Sequence, residues 1–164
     1  MFATELTDPA RRIAAILRER GDTVAVAEGS AGGLISAALL SVPGASAYYL
    51  GGVVIYTATA NRAWMAGAIE TPPGMRGATE VFAMYLARSA AARLGATWGI
   101  GEAGAAGPPN PYGDPAGHSW VAVAGPATVT RNILTGLDDR AANMVAFAAA
   151  ALELFAVVVA AASS

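Results

Sequence analysis

A layered α/β sandwich built on a mixed sheet is the fold class this sequence predicts. Short apolar runs of strand type alternate along the chain with stretches of helical period. A glycine-rich turn follows the first strand-type run and opens directly into a helix. Towards the C-terminal end, two strand-type runs face each other across Gly125-Pro126, a hairpin that makes part of the sheet antiparallel.

Taken in order, Asp8-Pro9 reads as an N-cap with proline at the first helical position, and Gly21 as the stop. Between them Ile13, Ala14, Ile16 and Leu17 recur at helical spacing. Thr23 to Ala27 is a strand, and Glu28-Gly29-Ser30-Ala31-Gly32-Gly33 turns the chain into a helix over Leu34 to Leu40, ended by Pro43-Gly44. Gly51 to Thr57 is a second strand, followed by a short helix around Ala60 to Met65 that stops at Gly67. Thr71 to Gly77 is a loop with two prolines, after which Thr79 caps a long helix to Leu94, with Gly95 just past its end. Thr97 to Gly101 is a strand, and Gly104 to Gly117 is a Gly/Pro-rich loop too long for a simple turn, which marks it as a functional candidate. Ser119 to Ala124 and Thr128 to Leu134 form the hairpin, and helix resumes after Asp138-Asp139.

The chain of 164 residues is long enough for one domain that buries about two thirds of its unfolded surface. Hydrophobic residues make up 55% and charged residues 13%, with a formal net charge of −2 and no basic run, so a nucleic-acid partner is not expected. There is no cysteine, which excludes disulfides and thiolate chemistry, and the single histidine, His118, excludes a cluster of histidine ligands. All ten basic side chains are arginine; lysine is absent. The N-terminal apolar stretch, Ile13 to Leu17, is short and flanked by arginines, unlike a secretory signal. Met144 to Ala162 is apolar enough to consider for a membrane, but Glu153 in its middle favours a buried helix, so no membrane contact and a cytoplasmic location are expected.

A strand feeding a glycine-rich turn into a helix presents unpaired N–H groups and the positive end of a helix dipole, an arrangement suited to an anion. Glu28, Ser30, Gly32 and Gly33 occupy that turn, on the side of an α/β sheet where ligands usually bind; a tight packing turn is the alternative. The segment TVAVAEGSAGGLISAALLSVPGASAYYLGGVVIYTATAN, followed by GEAGAAGP at Gly101 to Pro108 and GHSWVAVAG at Gly117 to Gly125, resembles the CinA C-terminal domain family. The resemblance runs from about Gly21 to Pro108 and more loosely through the C-terminal helix. It implies one three-layer α/β/α sandwich over residues 1–164. It also implies an activity: the family includes bacterial deamidases that hydrolyse nicotinamide mononucleotide (NMN) to nicotinic acid mononucleotide and ammonia.

In the family the first turn reads A-E-S-C/T-T-G-G, the serine acting as nucleophile, and a lysine in S-N-E-A-K after the G-V-V-x-Y strand is taken as its base. Those two positions hold Gly29 and Asn61 here. Glycine offers no nucleophile, asparagine is no base, and the guanidinium of Arg62 next to it stays protonated. The family's T/S-G-I-A-G-P hydroxyl is replaced at Ala103, the lysine of its E-K-P-V-G loop falls at Asp114, and an arginine expected after Asp138-Asp139-Arg140 is replaced near Asn143 and Met144. The residues matching the family's pattern are Glu28, Gly32, Gly33, Tyr56, Gly104, Gly107, Pro108 and Arg140, and all of these except Pro108 are the expected ligand-binding set. The leading expectation is a catalytically degenerate relative that keeps a small-molecule, NMN-like pocket and needs no cofactor. An active amidohydrolase with Ser30 as displaced nucleophile, using Glu28 or Tyr56 as base, is one alternative. A scaffold that self-associates is the other, since related domains often form homo-oligomers.

Three features carry ordinary structural readings. Gly99 to Gly104 matches G-x-G-x-x-G but leads into a proline-rich loop rather than a helix, so it is no dinucleotide fingerprint. His118 reads as a hydrogen-bonded structural histidine, and Trp64, Trp98 and Trp120 as packing residues. Glu28 and Glu102 both follow strands on the site side; a carboxylate pair there, able to hold Mg²⁺, competes with the commoner cap or solvated position.

Overall fold

The computed structural model describes residues 3–162. Five strands, β1 (Val24–Glu28), β2 (Tyr49–Val54), β3 (Trp98–Ala105), β4 (His118–Ala124) and β5 (Val129–Leu134), form one sheet in the order β2-β1-β3-β4-β5. β1 runs parallel to both β2 and β3, whereas β3-β4 and β4-β5 are antiparallel, so the sheet is mixed as expected. Helices α1 (Thr4–Arg20), α2 (Leu34–Leu40) and α5 (Arg140–Ala161) cover one face. The other face carries α4 (Glu80–Leu94), with the short α3 (Ala58–Trp64) at the end of β2. The result is the three-layer α/β/α sandwich that the resemblance implied.

Strand alternation divides the core in two. Val24, Val26, Trp98, Ile100, Val121 and Val123 point beneath α1, α2 and α5, where Trp98 meets Phe155 edge-to-face at 5.7 Å. Ala25 and Ala27 point the other way, towards Tyr85, Leu86 and Ala90 of α4. On that side the helix lies almost directly on the strand. A Cβ at Gly99 would stand 1.9 Å from the carbonyl oxygen of Ala87, and one at Gly101 1.9 Å from that of Ala83. The G-x-G spacing that mimics a dinucleotide fingerprint is thus a packing groove for α4.

Local signals placed α2, the Thr79 cap (which accepts from the N–H of Phe82) and the left-handed Gly95 terminus where they are observed. Other boundaries differ. α1 starts at Thr4, a turn ahead of the expected Asp8 cap, and Pro9 lies inside it. The missing N–H of Pro9 leaves only the exposed turn's Glu5 carbonyl without a partner, which water can satisfy, and Asp8 pairs with Arg11 instead. β2 ends at Val54, and Thr57 serves as the cap of α3, accepting from the N–H of Ala60. β3 runs on to Ala105 because Ala103, Gly104 and Ala105 pair with Trp120, Ser119 and His118 of β4, so the long loop begins at Ala106.

By length and composition α5 is a helix that could cross a membrane. In the fold it packs against α1, α2 and β4 with Phe147, Leu152, Phe155 and Val159 buried, and Glu153 pairs with Arg12 at 2.5 Å. It packs here as a core helix, the buried arrangement expected from Glu153 in its middle.

The glycine groove gives a stability test. Gly101→Ala forces a methyl into the backbone of α4 and is expected to lower unfolding free energy by about 3 kcal/mol, seen as a drop in the urea midpoint. Gly77→Ala, where a Cβ meets nothing within 4 Å, is the control, with a change within about 0.5 kcal/mol.

Candidate functional site

The turn from β1 into α2 is held by two buried carboxylates that lie opposite each other in register. Glu28 accepts from the N–H groups of Ile35 and Ser36, at 3.1 and 2.9 Å, and from the Ser36 hydroxyl at 2.8 Å. It thereby serves as the anionic cap that Gly33, the N-cap residue with φ 97°, cannot supply. Glu102 accepts from the N–H of Gly29 at 3.1 Å and of Ala31 at 2.8 Å on one oxygen. Its other oxygen accepts from the hydroxyls of Ser30 at 2.5 Å and Ser119 at 2.7 Å. Burial pushes the Glu102 carboxyl above the usual glutamate range; the hydrogen bonds from Ser30, Ser119 and Ala31 oppose that rise, and Glu28 adds to it. Both glutamates lie within strands and are fully buried, so neither the solvated reading nor an open carboxylate pair describes them. Among the described residues no group of three or more acidic or histidine side chains is arranged to hold a metal ion.

The alternation of β1 decides which way the turn residues face. Glu28 continues the series of Val24 and Val26 towards α2, and position 29 continues that of Ala25 and Ala27 towards α4. A Cβ at Gly29 would stand 3.0 Å from the Ile55 carbonyl oxygen, 3.4 Å from that of Glu102 and 4.0 Å from the Ala103 Cα. Ser30 goes the other way, beneath the sheet end, to the Glu102 carboxylate. Gly29 and Ser30, adjacent in sequence, therefore serve opposite faces.

On the Gly29 side a cavity of about 310 Å³ is lined by Ile55, Tyr56, Asn61, Arg76, Phe82 and Tyr112, among others. Asn61 Oδ1 is buried there without a hydrogen-bond partner. Arg76 donates to Asp114 at 2.8 Å and to the Gly77 carbonyl at 3.0 Å, and its guanidinium lies 4.7 Å from the centre of the Tyr112 ring. The hydrogen bond from Arg76 is the main reason the Asp114 carboxyl sits below the usual aspartate range. Asp114 thus fixes Arg76, and through it Tyr112, at the cavity. Arg140 donates to the Tyr56 hydroxyl at 2.7 Å and to the Gly107 carbonyl, tying the start of α5 to the end of β2 and to the A-G-P turn.

Of the expected ligand-binding set, Tyr56 lines the cavity and Arg140 and Gly107 join it through that link. Glu28 and Gly33 belong to the start of α2, and Gly32 lies under Met144. Gly104 packs against β4, where a Cβ would meet the Ser119 side chain at 2.5 Å. Sequence reasoning named Asn143 only as a departure from the family pattern and missed its role. It is fully buried, donates to the carbonyls of Ala106 and Leu137, and accepts from the Thr135 hydroxyl, pinning the A-G-P turn. A polar residue on the most apolar helix of the chain was the available signal. His118 is hydrogen-bonded at one nitrogen only: Asn132 Nδ2 also donates to the Ser119 carbonyl, so it donates to His118 Nε2 at 3.0 Å, and Nδ1 lacks a partner.

Residues 6–159 match the CinA C-terminal domain family. A CinA-like protein of Frankia casuarinae is 41% identical over 120 residues, which are 72% of this chain and 28% of that protein. A CinA-like protein of Salinibacter ruber is 38% identical over 139 residues, 84% of this chain and 34% of that protein. The chain spans only about a third of the length of these curated relatives. Among solved structures, competence/damage inducible protein CihA from Agrobacterium tumefaciens superposes with a TM-score of 0.87 at 27% identity, covering 98% of each chain. The competence damage-inducible protein A (ComA) from Klebsiella pneumoniae does so with a TM-score of 0.87 at 26% identity, covering 96% of this chain and 99% of that one.

The Glu102 clamp predicts a pH signature. Folded Glu102 keeps its proton to higher pH than the unfolded side chain, whose ordinary value is 4.5. As pH rises through that interval the unfolded chain loses a proton that the folded chain retains, so the contribution of this group to stability falls. Glu102→Gln removes the titration while its oxygen accepts from both N–H groups and its amide donates to both hydroxyls. Urea midpoints should show the variant gaining on the parent from pH 4.5 upward, then levelling off once folded Glu102 ionises; a flat or falling difference contradicts the assignment.

Proposed function

The chain belongs to the CinA C-terminal domain family, and we propose that it is a catalytically degenerate member that binds a small, NMN-like ligand in the cavity beside Asn61 without hydrolysing it. The observation that carries this reading is the make-up of the cavity face of the turn. Hydrolysis of a carboxamide needs a nucleophile and a group to take its proton. Gly29 and Asn61 stand at the positions where the family resemblance places the nucleophile and its base, and neither can do that job; Ala103 stands where the resemblance implies a hydroxyl facing the substrate. The Tyr56 hydroxyl is engaged by Arg140, whose guanidinium stays protonated.

Ser30 is the remaining hydroxyl. Glu102, with its raised affinity for a proton, is a chemically adequate base for it, better than the Glu28 or Tyr56 considered from sequence. Yet Ser30 is only 5% exposed and lies beneath the sheet end, away from the Gly29 face. Attack from there requires the turn to abandon its bonds to Glu102, and a reacting atom misplaced by even about 1 Å costs roughly a hundredfold in rate. A second reading, self-association in an interaction role, draws support from Leu50 and Val54, which stand exposed on the edge strand β2.

Ammonia release from NMN distinguishes these. The unmodified chain is expected to release none above buffer while NMN raises its melting temperature. Gly29→Ser with Asn61→Lys restores both missing groups and is expected to gain measurable deamidase activity, since the new Cβ needs a shift of only a few tenths of an ångström from the Ile55 carbonyl. Turnover by the unmodified chain that disappears in Ser30→Ala overturns the proposal. No melting shift together with a stable oligomer favours the interaction role.

A further inference from the structure

We infer that Arg76 makes the cavity a receptor for a carboxylate carried on a flat ring, so that the chain favours a ring acid over the corresponding amide. The inference rests on the cavity reading proposed above and names the group that anchors the ligand. Arg76 precedes α4 and stands on the cavity wall with its side chain 37% exposed. Its bonds to Asp114, at 2.8 Å, and to the Gly77 carbonyl, at 3.0 Å, both come from Nη1. Among the described residues no acceptor meets Nε or Nη2, and neither nitrogen is closed off from solvent. These two nitrogens form a side-on fork whose N–H groups match the two oxygens of a carboxylate.

The fork is held in place before any ligand arrives. Asn110 donates from Nδ2 to Asp114 at 2.8 Å, and its Oδ1 accepts from the N–H groups of Tyr112 and Asp114, both at 3.0 Å. The N–H of Asn110 closes the same loop by donating to the Asp114 carbonyl at 3.2 Å. That loop seats the Asp114 carboxylate on one end of the guanidinium and sets the Tyr112 ring 4.7 Å beneath it. An arginine fixed in this way gives up little side-chain freedom when a ligand binds.

The charges around the cavity favour a single added negative charge. Asp114 offsets part of the charge of Arg76, whereas Arg140 bonds two uncharged oxygens, the Tyr56 hydroxyl and the Gly107 carbonyl. Arg62, exposed on α3, reaches only Thr59. A carboxylate adds one charge, while a phosphate dianion brings a second one up to Asp114. The Tyr56 hydroxyl accepts from Arg140, which leaves its own proton free to donate into the cavity. The Asn61 amide oxygen is buried in the wall and takes no part. A primary carboxamide offers the fork one acceptor and no charge, and its N–H₂ group faces further donors. Phe82 and Tyr112 on the same cavity suit a flat ring carrying the acid.

Isothermal titration of the full chain with nicotinamide riboside, nicotinic acid riboside and their phosphorylated forms, NMN and nicotinic acid mononucleotide, tests the inference. The unmodified chain is expected to bind each acid roughly tenfold more tightly than its amide. Added salt should shrink that preference. Arg76→Gln should bring each pair within about twofold. Arg76→Lys keeps a charge beside Asp114 but not the fork; it should lose most of the preference, and it replaces the glutamine variant if that does not fold. Equal or tighter binding of the amides overturns the inference and leaves the cavity reading standing. A preference that survives Arg76→Gln does the same, as does an Arg76-dependent gain brought by the phosphate instead of the carboxylate. Binding of none of the four overturns both.

Discussion

The Glu102 carboxylate, buried at the end of β3, determines which way the turn after β1 faces. Four donors converge on it: two N–H groups of the turn, the Ser30 hydroxyl and the Ser119 hydroxyl of β4. A carboxylate removed from water is unfavourable unless donors replace its hydration, and here they come from two segments, the turn after β1 and strand β4, that must be in place together around β3. The two hydroxyls can donate or accept, so the cluster remains satisfied when Glu102 holds a proton. Glu28, one strand over, does the same work for the start of α2. With both glutamates in place, Gly29 is directed to the α4 side and Ser30 beneath the opposite one. The anion-binding potential of the turn is occupied from within the chain.

The cavity side holds a framework of arginines and tyrosines. Asp114 orients Arg76 against Tyr112, and Arg140 links Tyr56 to the A-G-P turn that Asn143 pins from below. These contacts shape a pocket, but they are aromatic and cationic supports rather than reacting groups. Such a division, a frame of fixed side chains with Gly29, Asn61 and Ala103 near it, is what the proposed binding without chemistry requires.

Much of the fold was legible in the sequence because its signals are local. The helix over Leu34 to Leu40, the Thr79 cap, the Gly95 stop and the hairpin across Gly125-Pro126 each depend on a few neighbouring residues. The extension of β3 to Ala105 was not legible, since it exists only through pairing with β4. The roles of Glu28 and Glu102 were hidden for the same reason: their partners lie seven or eight and seventeen or more residues away. Strand alternation alone already implied that Gly29 and Ser30 face opposite ways, but only the position of Glu102 shows where the Ser30 hydroxyl goes. The family resemblance located the altered positions; the buried, unpartnered oxygen of Asn61 became visible only with the cavity around it.

The most direct test of this account is a crystal structure of the unmodified chain soaked with NMN. The account predicts an intact carboxamide beside Asn61, with the Ser30 hydroxyl still on Glu102. A nicotinoyl ester on Ser30 Oγ, or the deamidated acid in the cavity with Ser30 turned towards it, would contradict it.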